Sequence, residues 1–86
     1  MNVVYSKNFL KAVSSLPVKT QEKLDGLLAI LAENPFHTIL HVKQLGGELQ
    51  GSFSFRISRD WRVIFVYAAE ETIRLVDVGH RRDIYR

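Results

Sequence analysis

The spacing of apolar residues changes along this chain, and each change marks a different kind of element. Asn2-Val3-Val4-Tyr5 reads as a short opening strand, and Ser6 follows it with a hydroxyl able to cap a helix. Phe9, Leu10, Val13 and Leu16 then recur at helical spacing, which predicts a first helix with those residues on its buried face. Pro17 closes that helix and suits the first turn of the next. Leu24, Leu27, Leu28 and Leu31 form a second stripe, with Lys19, Glu22, Lys23 and Asp25 outside it. Asn34-Pro35 ends this helix, because the residue before proline is pushed out of the helical region. Two helices joined at a proline make a hairpin whose apolar stripe needs a sheet to cover it.

The period then falls to two. Phe53, Phe55 and Ile57 alternate with Ser54, Arg56 and Ser58, as in a half-buried strand. Trp61 to Tyr67 is apolar on both faces and predicts a central strand; Ala69-Glu70-Glu71 reads as a turn and Thr72 to Val78 as the last strand. This order predicts an α+β fold: an N-terminal strand, a helix hairpin, then an antiparallel three-strand meander with the helices packed on one face. If Arg59-Asp60-Trp61 forms the first connection of the meander, Ser58 pairs with Arg62, Arg56 with Ile64, Ile57 with Val63, Phe55 with Phe65 and Phe53 with Tyr67. A two-residue turn at Arg59-Asp60 would instead put Arg62 on the face of Phe55 and Ile57, so burial selects the longer connection. Arg56 and Arg62 then share the face away from the helices.

At 86 residues the chain suits a single domain, 1–86, and its 47% hydrophobic content is that of a globule rather than a disordered chain. The absence of cysteine excludes disulfides and thiolate metal sites. No apolar run approaches membrane-spanning length, and the opening residues turn polar too soon for a signal peptide. No membrane partner is expected, and the cytoplasm is the expected compartment. The net charge of +3 decides little, but its distribution is uneven: all five lysines lie at or before Lys43 and all seven arginines at or after Arg56. Strands also favour arginine for packing reasons, yet the planar guanidinium fork is the side chain best matched to phosphate.

The arginines fall within an ordered set. Lys43-Gln44-Leu45-Gly46-Gly47-Glu48-Leu49-Gln50-Gly51 is a glycine-punctuated approach to two strands that each carry an arginine. The chain then closes on Gly79-His80-Arg81-Arg82-Asp83-Ile84-Tyr85-Arg86. Together these suggest a surface that holds phosphate through Arg56 and Arg62, with Arg81 as a third cation. A histidine can take up and release a proton near neutrality, which suits His80 to a shuttle. Tyr85 could stack on a base, and Lys43 could reach the same concavity, with His41, Arg59 and Arg82 extending the basic rim.

This ordered set resembles the RelE/ParE superfamily of bacterial and archaeal toxins, on the RelE and YafQ side more than the ParE side. The resemblance covers nearly the whole chain and is strongest from Lys43 to Tyr85. It implies a RelE-like fold and the toxin of a type II toxin–antitoxin pair, a metal-independent endoribonuclease that cleaves messenger RNA on the ribosome by 2′-hydroxyl attack. Arg62 matches the family's arginine at the opening of the central strand, Arg56 its basic residue in the preceding strand, Gly79-His80-Arg81 its Gly-basic-Arg segment, and Tyr85 the tyrosine of its tail. The implied partners are messenger RNA and a cognate acidic antitoxin, with no cofactor.

The chain also departs from the family pattern. Ser54 stands where RelE has one of two alternating lysines, and the tail after Tyr85 is shorter. Two alternatives stay open: a ParE-like inhibitor of DNA gyrase, and a member that binds RNA or an antitoxin without cutting. Single residues have plainer readings as well, with Arg56 as a solvated strand residue, Tyr85 as a seal on the core edge, Asp60 as a turn former and Glu48 as loop surface. His37 and His41 have the spacing of a metal pair if helical, and His80 could be imagined as a third ligand. However, Asn34-Pro35 precedes them, Thr38 and Ile39 lie between them and no carboxylate completes the set, so no metal is expected.

Overall fold

The hydroxyl of Ser6 sets the first turn of the structure. It accepts a hydrogen bond from the Phe9 backbone N–H at 2.9 Å and donates to the Val76 carbonyl at 2.9 Å, so one side chain caps a helix and ties it to a distant strand. The computed structural model describes residues 1–85; Arg86, part of the arginine-rich end, lies outside them. Strand β1 (Asn2–Tyr5) leads into helix α1 (Lys7–Val13), and α2 (Val18–Glu33) follows with Pro17 at its N-cap. A single 3₁₀ turn, Thr38–Leu40, leads to β2 (Lys43–Gln44), and a second, Gly47–Leu49, leads to β3 (Phe53–Arg56), β4 (Trp61–Ala69) and β5 (Thr72–His80).

The strands form one five-stranded sheet in the order β1-β5-β4-β3-β2. The expected meander of β3, β4 and β5 is antiparallel with β4 in the middle, and β1 adds to it in parallel against β5. Strand β2, two residues pairing with β3, was not expected from the sequence: it is too short to show a period. Ala69, expected in a turn, belongs to β4, and β5 runs on to His80 rather than stopping at Val78.

Two further expectations are corrected. Helix α1 ends at Val13, so Leu16 reaches the core from the following turn, while Leu10 is 56% exposed rather than buried. The register of β3 on β4 also differs from the expected one by two residues: Phe53 pairs with Phe65, Ser54 with Ile64, Phe55 with Val63 and Arg56 with Arg62. Ile57 N–H donates to the Trp61 carbonyl at 2.9 Å, which makes Ser58-Arg59-Asp60 the loop. A shift of two leaves every side chain on its expected face, whereas a shift of one would have inverted them.

Those faces organise the molecule. On one, Phe55, Ile57, Val63, Phe65, Ile73 and Leu75 pack against Phe9, Leu24, Leu27 and Leu31 of the helices to form the main core. Tyr67 edges this core beside Phe53 and Phe65, and burial pushes its phenol above the usual tyrosine range. On the other, Leu45, Ile64 and Ile84 make a small separate cluster. Among the described residues, no helix is long and apolar enough to cross a membrane.

Candidate functional site

The face away from the helices holds a concavity of about 420 Å³ between β2, β3, β4 and the C-terminal turn. Arg56 and Arg62 stand directly opposite each other on β3 and β4. Lys43 enters from β2, which pairs with Ser54, and His41 from the turn before it. Arg81, Arg82 and Tyr85 close the remaining side, and none of the described residues lining the concavity carries a carboxylate. Like charges directly opposed across strands destabilise a sheet, so this arrangement favours occupation by an anion.

Each of these groups is held in a specific way. Arg62 does not project freely: its Nη1 donates to the carbonyls of Ser58 at 2.6 Å, Arg59 at 2.8 Å and Trp61 at 3.2 Å. The guanidinium thus grips the β3–β4 loop with one nitrogen, and its Nε and Nη2 carry the other three N–H donors. This grip stabilises the loop that starts at Ser58 in the observed register. Arg81 is tied to the same loop through its backbone N–H, which donates to the Asp60 carbonyl at 2.8 Å. Its Nε lies 3.6 Å from Asp60 Oδ1, so Asp60 orients an arginine in addition to forming the turn. The Tyr85 hydroxyl donates to Ser54 Oγ at 3.1 Å. Ser54, itself buried and already noted in the sequence as a departure from the resembled pattern, anchors the tyrosine.

Gly79 lies opposite Arg62, and a Cβ there would stand 3.3 Å from Ile84 Cδ1, so the C-terminal turn packs closely over this glycine. Ile84 in turn packs on Ile64 and places Tyr85. His41 adopts a left-handed backbone conformation (φ 49°), which swings the chain from the 3₁₀ turn into β2. His37 caps that turn, its Nδ1 accepting from the Ile39 N–H at 3.2 Å. Among the described residues, no group of three His, Cys, Asp or Glu is placed to hold a metal.

Of the residues singled out in the sequence, Arg56, Arg62, Arg81, Tyr85, Lys43, His41 and Arg82 come together here, and His80 and Arg59 do not. His80 pairs with Trp61, with ring centroids 5.4 Å apart, and Trp61 packs against the main core, so this histidine sits on the helix face. The cause is a β-bulge: Ile64 pairs with Asp77 and Phe65 with Leu75, which leaves Val76 as an extra residue and reverses the alternation beyond it. Without the bulge, His80 would face the arginines. Arg59 contributes its carbonyl to the Arg62 grip. Sequence reasoning missed Gln44, Leu45 and Leu49, which with Lys43, Gly46, Glu48 and Tyr85 line a second concavity of about 370 Å³ next to the first. The glycine-punctuated approach was the signal for it.

The family model described as ParE toxin of type II toxin–antitoxin system, parDE, matches residues 3–85. The chain is similar in structure to YafQ from E. coli strain BL21(DE3), with a TM-score of 0.82 and 20% identity over 99% of this chain and 98% of that one. It is also similar to the YoeB/ParE toxin from Agrobacterium tumefaciens, with a TM-score of 0.78 and 16% identity over 94% and 99% of the two chains. The archaeal RelE–RelB complex from Pyrococcus horikoshii OT3 gives a TM-score of 0.76 and 25% identity over 95% and 96%. No curated protein matches.

Proposed function

The chain belongs to the ParE toxin family of type II toxin–antitoxin systems, and from that premise we propose that it is a ribosome-dependent endoribonuclease that cleaves messenger RNA by attack of the substrate's own 2′-hydroxyl. The observation that carries this reading is the opposed pair Arg56 and Arg62 in a concavity also lined, among the described residues, by Lys43, Arg81 and Arg82. As the 2′-oxygen attacks phosphorus and the 5′-oxygen leaves, negative charge builds on the phosphate oxygens, where fixed cations have their largest effect. Arg62, already immobilised through Nη1, presents its free edge with little reorganisation. Tyr85, set by Ser54, stacks on or orients a base. His41 is the histidine lining the concavity, and it takes the proton-carrying role that the sequence suggested for His80. The expected products are a 2′,3′-cyclic or 3′-phosphate and a 5′-hydroxyl, formed without a divalent metal in the reaction.

The RelE of Pyrococcus horikoshii is solved in complex with RelB, which supports a cognate antitoxin for this chain. An acidic segment that folds onto the cationic concavity would silence it, and such a pair acts in the cytoplasm. The family model's own description favours a second reading, a ParE-like protein that inhibits DNA gyrase without nuclease chemistry. Mapping RNA 5′ ends after the protein is added to translating ribosomes tests both. New 5′-hydroxyl ends on ribosome-bound message, persisting in chelator at ionic conditions that keep ribosomes intact, are expected. Intact message together with blocked gyrase supercoiling would overturn the nuclease in favour of the second reading, and neither effect would leave a binding protein.

A further inference from the structure

The second concavity adjoins the cationic one and shares Lys43 and Tyr85 with it. Its character is different. Leu45 and Leu49 form an apolar floor, and Leu45 is fixed in the small cluster with Ile64 and Ile84. Glu48, in the same lining, brings a carboxylate, whereas Gln44 pairs with Phe53 and alternation turns its side chain to the helix face, away from Lys43 and Leu45.

The loop that carries Glu48 is held by its own backbone. Leu45 N–H donates to the Ser52 carbonyl at 2.9 Å, Leu49 N–H to Gly46 at 3.1 Å and Ser52 N–H to Leu49 at 2.9 Å. Gly47 (φ 61°) and Gly51 (φ 90°) supply the left-handed conformations that such a closed loop requires. A planar phenol wall, an apolar floor and a polar rim next to a phosphate site are the features of a nucleobase pocket, since single-stranded RNA is read by stacking and by hydrogen bonds to splayed bases.

The carboxylate decides which base. Ionised, it only accepts hydrogen bonds. On their Watson–Crick edges adenine and cytosine offer one amine beside a ring acceptor, and uracil offers one N–H between two carbonyls. Guanine alone presents two adjacent donors, N1–H and the N2 amine, which match the two carboxylate oxygens. Resting on the phosphate reading of the adjoining concavity, we infer that Leu45, Glu48, Leu49 and Tyr85 form a guanine-selective subsite that sets where the bound RNA is cut.

The test is titration of the isolated protein with 3′-GMP, 3′-AMP, 3′-CMP and 3′-UMP, followed by backbone amide NMR shifts. The expected result is that 3′-GMP moves the resonances of Gln44 to Leu49 and binds roughly tenfold tighter than the other three. Glu48→Ala should bring the four to within about twofold, and Glu48→Gln should lose most of the preference, because a neutral amide offers one acceptor in place of two. Arg56→Ala should weaken all four alike.

Equal affinities for the four nucleotides, or a preference that survives Glu48→Ala, would overturn the subsite alone and leave the phosphate reading standing. Shifts confined to the loop, with a guanine preference and with no loss of affinity for any of the four in Arg56→Ala, would uphold the subsite and remove the phosphate reading. No shift at Arg56, Arg62 or the loop at millimolar nucleotide would remove both.

Discussion

Strands β3 and β4 serve two surfaces with opposite chemistry. Phe55, Ile57, Val63 and Phe65 point toward the helices and form the middle of the core, while the residues between them, Ser54, Arg56 and Arg62, line a cationic concavity. Among the described residues, the apolar cluster on the second face is Leu45, Ile64 and Ile84, with Leu49 and Val76 at its margin. The strand period therefore separates stability from chemistry residue by residue. A small domain can carry a concentrated charge because the other face holds the fold together.

The largest test of that division is Phe65→Ala. Phe65 is fully buried and stacks on Phe53 at 5.5 Å, so its removal should cost about 3–5 kcal/mol, seen as a fall in the denaturant midpoint. Arg56→Ala, nine residues earlier and on the exposed face, should stay within about 0.5 kcal/mol of the parent. Comparable losses for the two would collapse the distinction between the faces.

Arg62 sharpens it, because it belongs to both roles. Arg62→Ala should lower RNA cleavage and growth inhibition by about 10²–10³-fold, the usual effect of losing one preorganised charge. It should also lower the melting temperature, since the carbonyls of Ser58 and Arg59 lose a charged donor worth about 1–2 kcal/mol. Arg62→Lys should restore part of each, because an ammonium cannot hold the loop and offer a planar edge together. Full activity in folded Arg62→Ala would end its assignment to the site.

Ser6→Ala probes the helix side alone. Losing both the cap of α1 and the bond to Val76 should cost about 1–2 kcal/mol in urea unfolding, with activity per folded molecule unchanged. The smallest effect concerns Tyr67. Burial raises its folded phenol above the usual tyrosine range, so its contribution to stability is complete below that range and is lost as pH rises through the higher folded value. Tyr67→Phe should flatten the alkaline limb of a pH–stability curve without altering its neutral plateau.

Much of this division could be read in the sequence. The two leucine stripes, the stop at Asn34-Pro35 and the alternation from Phe53 to Ile57 reflect burial, a signal repeated over many residues, and they place Arg56 and Arg62 on one face correctly. What could not be read depends on single local bonds. The β3–β4 register goes with a loop that one guanidinium holds by three carbonyls, and strand β2 rests on two residues that pair with β3. The position of His80 turns on one extra residue at Val76, which no periodicity before it announces. The second concavity was signalled only by its glycines, because its floor comes from a loop whose shape is set by backbone bonds and two positive-φ glycines rather than by a period.

The parallel pairing of β1 with β5 has a consequence for how the molecule comes into being. Asn2 meets Thr72 and Ser6 meets Val76, so the opening strand finds its place only when the chain closes a loop of some seventy residues. Contacts so distant in sequence form slowly, whereas the α2 helix and the β3–β4 hairpin need only near neighbours. A chain with its hairpin folded would already set Arg56 beside Arg62, yet it would lack the Arg81 and Tyr85 that the end of β5 delivers. Charge would gather before the site is whole, and for that interval the molecule could attract an anion without being equipped to act on it.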